Sequence, residues 1–450
     1  MELPASFAAV LASPASYLPR LGIALLLWAS IVTVGHLVYN VFFHPLRKFP
    51  GPLVCRATNL WRASKLLSGD LPQHVGRLHE QYGPVVRIAP YELAFIESRA
   101  WKDIYGHHSS YEMVKDDNFY RPMGRNVPDT IISADRQYHS LLRRQLSHGF
   151  SDRSMHAQEP IFRQYVGLLI QRLAERSDTG TPIDIRAWMN FTTFDVIGNL
   201  AFGSDFGCLE NSSYHPWVEA ITANLKDSAT MRAILQFISP SLVFKLNQLG
   251  IFKGRNAHMA YTKDKLRGRI EMGAERPDFM EGLLKKRDVL SLADLEMNAA
   301  LIVLAGSETT ATLLCGAFYW LGLHPEILEK VVQEVRTSFK SEDEIDLISV
   351  GGLTYMLACL NETLRLYPPT PIGLPRVVPK GGVTIAGQWV PQDTSVAVWQ
   401  LAAYYSSRNF TRPEEFHPER FLGDPEFAKD DLDVLQPFSV GPRNSWHMRR

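Results

Sequence analysis

The stretch from Ser291 to Leu321 sets the strongest condition on the fold. Ser291 is followed three positions later by Asp294, the spacing of a capping box in which two side chains satisfy orphan backbone N–H groups. Helix-compatible residues then continue for roughly 45 Å at about 1.5 Å each. The pattern is apolar nearly all round, so the helix must be enclosed. Glu296, Asn298 and Glu308 interrupt it and argue against enclosure by lipid. A central buried helix inside a large helical body is therefore expected. The 450 residues, 46% of them hydrophobic and 21% charged, supply the material for it. Motifs run from the first third to the end without a linker, which favours one large domain.

A second apolar run, Leu21 to Phe43, contains no Asp, Glu, Lys or Arg. About 20 apolar residues span a bilayer, and no small-residue cleavage site follows the run. A buried core helix has the same composition, but the position near the N-terminus favours an anchor. Arg20 precedes it, and Arg47 and Lys48 follow. The heavier charge on the C-terminal side places the body in the cytoplasm. The expected organisation is a lumenal segment (1–20), a transmembrane anchor (21–43), a proline-rich hinge (44–52) and a folded domain (53–450). The sequons at Asn190, Asn211, Asn361 and Asn409 would then stay unmodified. Forty-seven basic residues balance 47 acidic ones, which excludes a nucleic-acid partner read from charge. Cys55, Cys208, Cys315 and Cys359 form no CxxC pair, so neither a disulfide framework nor a zinc site is expected.

Other elements are legible more coarsely. Pro84–Ala89 and Leu93–Ile96, with a turn at Pro90, read as a hairpin. Residues 97–290 are mostly helical in pattern, broken near Asp116 and Asn211. Pro325 opens a helix to Phe339. A further helix carries Glu362 and Arg365 and ends before Pro368. Val383 to Val398 reads as hairpins. No internal repeat or low-complexity tract is present. The fold class is mainly α with a minor β-sheet.

Four constellations carry chemistry. Ala305-Gly306-Ser307-Glu308-Thr309-Thr310 puts a carboxylate and hydroxyls in an apolar helix, where unpaired polar burial is costly. Taken alone, Gly and Thr in a helix more often mark close packing. Glu362-Thr363-Leu364-Arg365 places opposite charges at i and i+3, commonly a solvated surface pair. Phe416-His417-Pro418-Glu419-Arg420 adds a guanidinium suited to carboxylate pairing. His139 and Arg143 stand at i and i+4 on a basic helix, and Arg376 closes Gly373-Leu374-Pro375-Arg376. The last motif is Phe438-Ser439-Val440-Gly441-Pro442-Arg443-Asn444-Ser445.

In this order and spacing the motifs resemble the haem-thiolate monooxygenases, the cytochrome P-450 family. The resemblance covers residues 45–445. It is strongest with membrane-bound fungal enzymes of secondary metabolism, through His-Pro-Leu-Arg-Lys-Phe-Pro-Gly-Pro and Gly-Leu-Pro-Arg-Val-Val-Pro-Lys-Gly-Gly. It implies the cytochrome P-450 fold, a haem b cofactor and an NADPH-dependent cytochrome reductase as partner. It also implies insertion of one oxygen atom from O2 into a lipophilic polyketide, terpenoid or alkaloid, at the endoplasmic reticulum membrane. By the same resemblance Glu308 and Thr309 pass protons during oxygen activation, and Ala305 and Gly306 let the helix approach the haem face. His139, in place of the family's usual Trp, and Arg143 and Arg376 would contact haem propionates. Glu362, Arg365 and Arg420 would form a structural network. Phe438, Gly441 and Arg443 would belong to the haem loop. Leu301, Leu304, Ile372, Gly373 and Leu374 would line the substrate pocket, with the loop from Asn118 to Thr130.

Ser445 falls where the family has its axial cysteine, so no metal ligand is assigned. A serine hydroxyl stays protonated at neutral pH and lacks the electron donation of a thiolate. His447 lies near. The expectation is a domain incomplete at the haem loop, without the final helix and strands. Three readings follow: a monooxygenase read from a mis-spliced or frameshifted form, a haem-free inactive remnant, or a membrane-tethered binding protein.

Overall fold

The N-terminal apolar run is helical from Pro14 to Val38 (α1) and continues through a π-helical turn, Tyr39–Phe43. The computed structural model describes residues 14–444, apart from 109, 121–126, 179, 181, 240, 244, 246–248, 250–252 and 274. Leu26 and Ile31 are 70% and 71% exposed, an unfavourable state in water and an ordinary one in lipid. The helix is long and apolar enough to cross a membrane. Its far end is stitched to the body. Asn40 is buried and its Nδ2 donates to the Ala57 carbonyl at 2.9 Å, while Arg56 Nη2 donates to the Val41 carbonyl at 2.8 Å. The segment expected to act as a hinge is likewise docked. Leu46 and Phe49 lie in the core, and the Arg87 N–H donates to the Pro50 carbonyl.

Helices Leu60–Ser68 (α2) and Leu71–Tyr82 (α3) lead to strands Val85–Ala89 (β1) and Glu92–Phe95 (β2). Helix Ser98–Tyr105 (α4) and strand Val114–Lys115 (β3) follow, then helices Arg136–Leu146 (α5), Asp152–Ser177 (α6), Ile185–Phe202 (α7), Pro216–Ile234 (α8) and Lys253–Glu271 (α9). Leu292–Leu323 (α10), Pro325–Ser338 (α11) and Thr354–Leu366 (α12) precede strands Arg376–Val377 (β4), Val383–Ile385 (β5), Gln388–Val390 (β6) and Ser395–Val398 (β7). The main sheet has the order β1-β2-β7-β4-β3, with β2 and β7 parallel; β5 and β6 form a separate hairpin. The parallel pair joins residues about 300 apart in sequence. The chain is mainly helical with small sheets, as the hydrophobic periods require.

Two apolar cores divide the body. One lies around the sheet and includes Val86, Phe95, Val396 and Tyr404. The other lies among α7, α8 and α10 and includes Phe194, Leu200, Trp217 and Val303. Both bonds of the capping box at Ser291 and Asp294 are formed, at 3.2 and 2.8 Å. Gly306 meets α7 so closely that a Cβ there would come within 2.6 Å of Ile197 Cδ1. The expected all-round burial of α10 needs correction. Its Ala305, Thr309 and Thr310 are exposed, and Phe318 and Tyr319 are 51% and 61% exposed. Cys359 is buried, whereas Cys315 is half-buried. Asn409 is buried with its amide donating to the Ile96 and Ala403 carbonyls, so its sequon has no free acceptor amide on either side of a membrane.

Candidate functional site

Strand pairing starts the site. β3 and β4 run antiparallel with Lys115 opposite Arg376, so two cations are placed side by side, normally a destabilising pair. Arg376 is 7% exposed. Its Nη1 donates to the Met113 carbonyl at 3.2 Å, its guanidinium lies 5.7 Å from the Tyr105 ring centre, and its Nε has no acceptor among the described residues. Lys115 Nζ donates to the Ile132 carbonyl.

α5 adds a third and fourth basic group. Asp135 caps it by accepting from the Tyr138 N–H at 2.8 Å, which fixes the first turn and the direction of His139 and Arg143. Arg143 donates to the Asn444 backbone carbonyl at 2.5 Å and to its Oδ1 at 3.0 Å. The 441–444 turn is thereby tied to α5. Gly441 has φ of 77°, and a Cβ there would sit on the Tyr105 carbonyl oxygen, so glycine is required twice over. The turn presents Arg443, whose Nη1 donates to the Ala134 carbonyl at 2.7 Å, with Glu112 at 3.6 Å.

These groups repel one another inside protein. Burial, then Arg443 and Arg376, lowers the Lys115 ammonium to about 6. Burial, then Arg443, Lys115, Arg143 and Arg376, lowers His139 to about 3. Burial and then Arg376 lowers Arg443. Such a cluster is relieved by an anion of more than one charge. A flat dicarboxylate such as haem fits this requirement, and the orphaned Arg376 Nε supplies a donor for it.

On α10, burial raises the Glu308 carboxyl above its ordinary range. Thr309 Oγ1 donates to the Ala305 carbonyl at 2.6 Å, so its hydroxyl proton is engaged and its oxygen can accept. Ala305 and Thr309 share the exposed side. Gly306 does not; its smallness serves the α7 contact.

Glu362, Arg365 and Arg420 meet, each side chain fully buried. Arg365 binds the carboxylate in a fork, Nε to Oε2 at 2.8 Å and Nη2 to Oε1 at 2.7 Å. Its remaining donors take the Tyr404, Pro413 and Glu415 carbonyls. Arg420 Nε reaches Glu362 Oε1 at 3.0 Å, and its Nη1 pairs with Asp430.

Ile372 and Gly373 line a cavity of about 310 Å3; Leu301, Leu304 and Leu374 are not among its lining residues. Leu304 and Leu374 pack instead against the helical and sheet cores. Phe438 is half-buried. Ser445, His447 and residues 121–126 lie outside the described residues. The sequence motifs do not include Lys115 and Glu112, and they give Asn444 no role of its own. Only the register of β3 with β4 brings Lys115 in, and a two-residue strand leaves no periodic signal.

Comparison with known proteins gives a direct match. The family model for cytochrome P450 covers residues 48–444. A cytochrome P450 monooxygenase, tpeC, of Talaromyces stipitatus is 46% identical over 90% of this chain and 81% of its own length. Averantin hydroxylase of Dothistroma septosporum is 44% identical over 94% of this chain and 79% of its own. Trichothecene C-15 hydroxylase of Fusarium sporotrichioides is 44% identical over 90% and 84%.

Proposed function

Because the chain belongs to the cytochrome P450 family, we propose that it is built to insert one oxygen atom from O2 into a lipophilic small molecule of fungal secondary metabolism. Relatives at 44–46% identity, named as monooxygenases and hydroxylases, favour this over a remnant or a tethered binding protein. The observation that carries it is the convergence of Lys115, His139, Arg143, Arg376 and Arg443 on one site, with His139 and Arg376 buried and the other three half-buried.

When bound, haem b supplies activation of dioxygen and oxygen insertion. The chain's residues do the rest. Arg376 and Arg443, with Lys115 and Arg143, would hold the propionates. Thr309 oxygen accepts a hydrogen bond on the exposed side of α10. Glu308, held neutral more readily by burial, donates a proton there. The Glu362–Arg365–Arg420 network anchors the turns at 404, 413 and 415 and has no chemical role. Family members usually draw electrons from a redox partner, here an NADPH-dependent reductase. Residues 21–43 anchor the body on the cytoplasmic face of the endoplasmic reticulum, with 44–52 joining anchor to domain.

Ser445 holds the position of the family's axial cysteine, and turnover follows the residue there. The test is haem reconstitution of the full chain, followed by the reduced carbon-monoxide difference spectrum. Haem uptake without a thiolate-type Soret band is expected for Ser445, and a thiolate-type band for Ser445→Cys. A thiolate-type band from the unaltered chain contradicts the reading of Ser445. Failure of both forms to take up haem contradicts the pocket.

A further inference from the structure

We propose that the 310 Å3 cavity between α2, α8 and the main sheet binds the anionic oxygen of an aromatic ligand, a carboxylate or an ionised phenol, on Arg232 and Trp399. The proposal deepens the monooxygenase reading by giving the substrate class an acidic group. Its geometry stands without haem.

Three separate elements build the wall. α8 contributes Arg232, and the turn after it Leu235 and Gln236; α2 contributes Arg62 and Leu66; the sheet side contributes Glu92, Gly373, Ser395 and Trp399. The volume is at the lower end of small-molecule sites, about 300 Å3. Its floor holds an unusual donor. Trp399 is 2% exposed, yet its indole Nε1–H has no acceptor among the described residues. A buried N–H left unpaired carries its full desolvation penalty. The indole stays open on this side because residue 373 is glycine; a Cβ there would stand 3.1 Å from Nε1.

Arg232 is the second group. Its guanidinium lies 4.6 Å from the Phe119 ring centre, a contact that orients the plane without neutralising it. The titratable groups that bear on it are Tyr120 and Arg62; burial and, less strongly, Arg62 lower its basicity, and Tyr120 opposes them. No carboxylate is among them. Glu92, on the same wall, is taken by Arg62 at 2.5 Å, and Asp116 accepts the Asn118 N–H at 2.9 Å. A guanidinium fork therefore faces the cavity with a ring beneath it and no counter-ion among the described residues. An anionic oxygen satisfies both Arg232 and Trp399 Nε1, while Leu66, Leu71, Leu235 and Ile372 cover an apolar ring.

The experiment titrates the full chain with 2-naphthoate, its methyl ester and 2-naphthol, read by calorimetry without added haem. The acid is expected to bind about 10-fold or more tightly than the ester, from a charge-assisted hydrogen bond. Arg232→Gln should abolish the preference, Arg232→Lys should keep part of it, and Trp399→Phe should reduce it. Naphthol binding as tightly as naphthoate assigns a phenol; weaker binding assigns a carboxylate. Equal binding of acid and ester to the unaltered chain, binding of none of the three, or an intact preference in Arg232→Gln overturns the proposal. Failure of haem uptake leaves these titrations unaffected, so the two readings fail separately.

Discussion

At the scale of single residues, Arg365 shows how a shared motif becomes a structural need. Its guanidinium reaches Glu362 and three backbone carbonyls with no exposure to solvent. Lysine keeps the charge and loses the fork. Arg365→Lys should cost about 3 kcal/mol or more, the scale of a broken buried pair, in a urea unfolding series. Unchanged stability would mean that the network relaxes without loss. Glu308 gives a pH test. Burial raises its carboxyl in the folded state, so the fold binds that proton more tightly than the unfolded chain. The stability tied to this group is full below the ordinary carboxylate range, about pH 4, and declines as pH rises through the raised value. Glu308→Gln removes the decline, so the variant should gain on the parent chain with rising pH and lose that gain in acid. A pH-independent difference would contradict the burial.

At the scale of elements, what the sequence made legible was local. Ser291 and Asp294 are three positions apart, and both bonds of their box lie within one turn. Glu362 and Arg365 share a helical face, so their spacing alone foretold contact. What stayed hidden is set by pairing between distant segments. Lys115 joins Arg376 through the register of two short strands, and Asp430 reaches Arg420 across a loop. Arg232 and Trp399 share a cavity wall although they lie on α8 and after β7. Ala305, Gly306 and Thr309 lie within five positions of one another, but the helical period turns Gly306 to α7 and leaves Ala305 and Thr309 exposed. The 441–444 turn has the sharpest backbone requirement. Gly441→Ala should cost about 1–3 kcal/mol of unfolding free energy and weaken haem binding as well, because Arg443 and Asn444 move with the turn. Loss of stability with undiminished haem affinity would separate the turn from the site.

At the scale of the whole molecule, the helical core and the sheet core each hold part of the basic cluster. α5 packs with the helices, β3 and β4 with the sheet, and the 441–444 turn is bonded to Tyr138's helix through Arg143. Repulsion among the guanidinium groups, and the loss of the Lys115 proton that it favours, are a cost the fold carries until an anion enters, which would make cofactor and body mutually stabilising. That coupling is the central claim, and on the proposed reading the two propionates carry it. The direct measurement is an equilibrium titration of the full chain with haem and with its dimethyl ester, which has the same ring and no charge. Haem should bind at least about 100-fold more tightly, from two charge-assisted contacts, and the gap should shrink with added salt. Equal affinity for the acid and the ester would contradict the assignment of Lys115, Arg143, Arg376 and Arg443 to the cofactor.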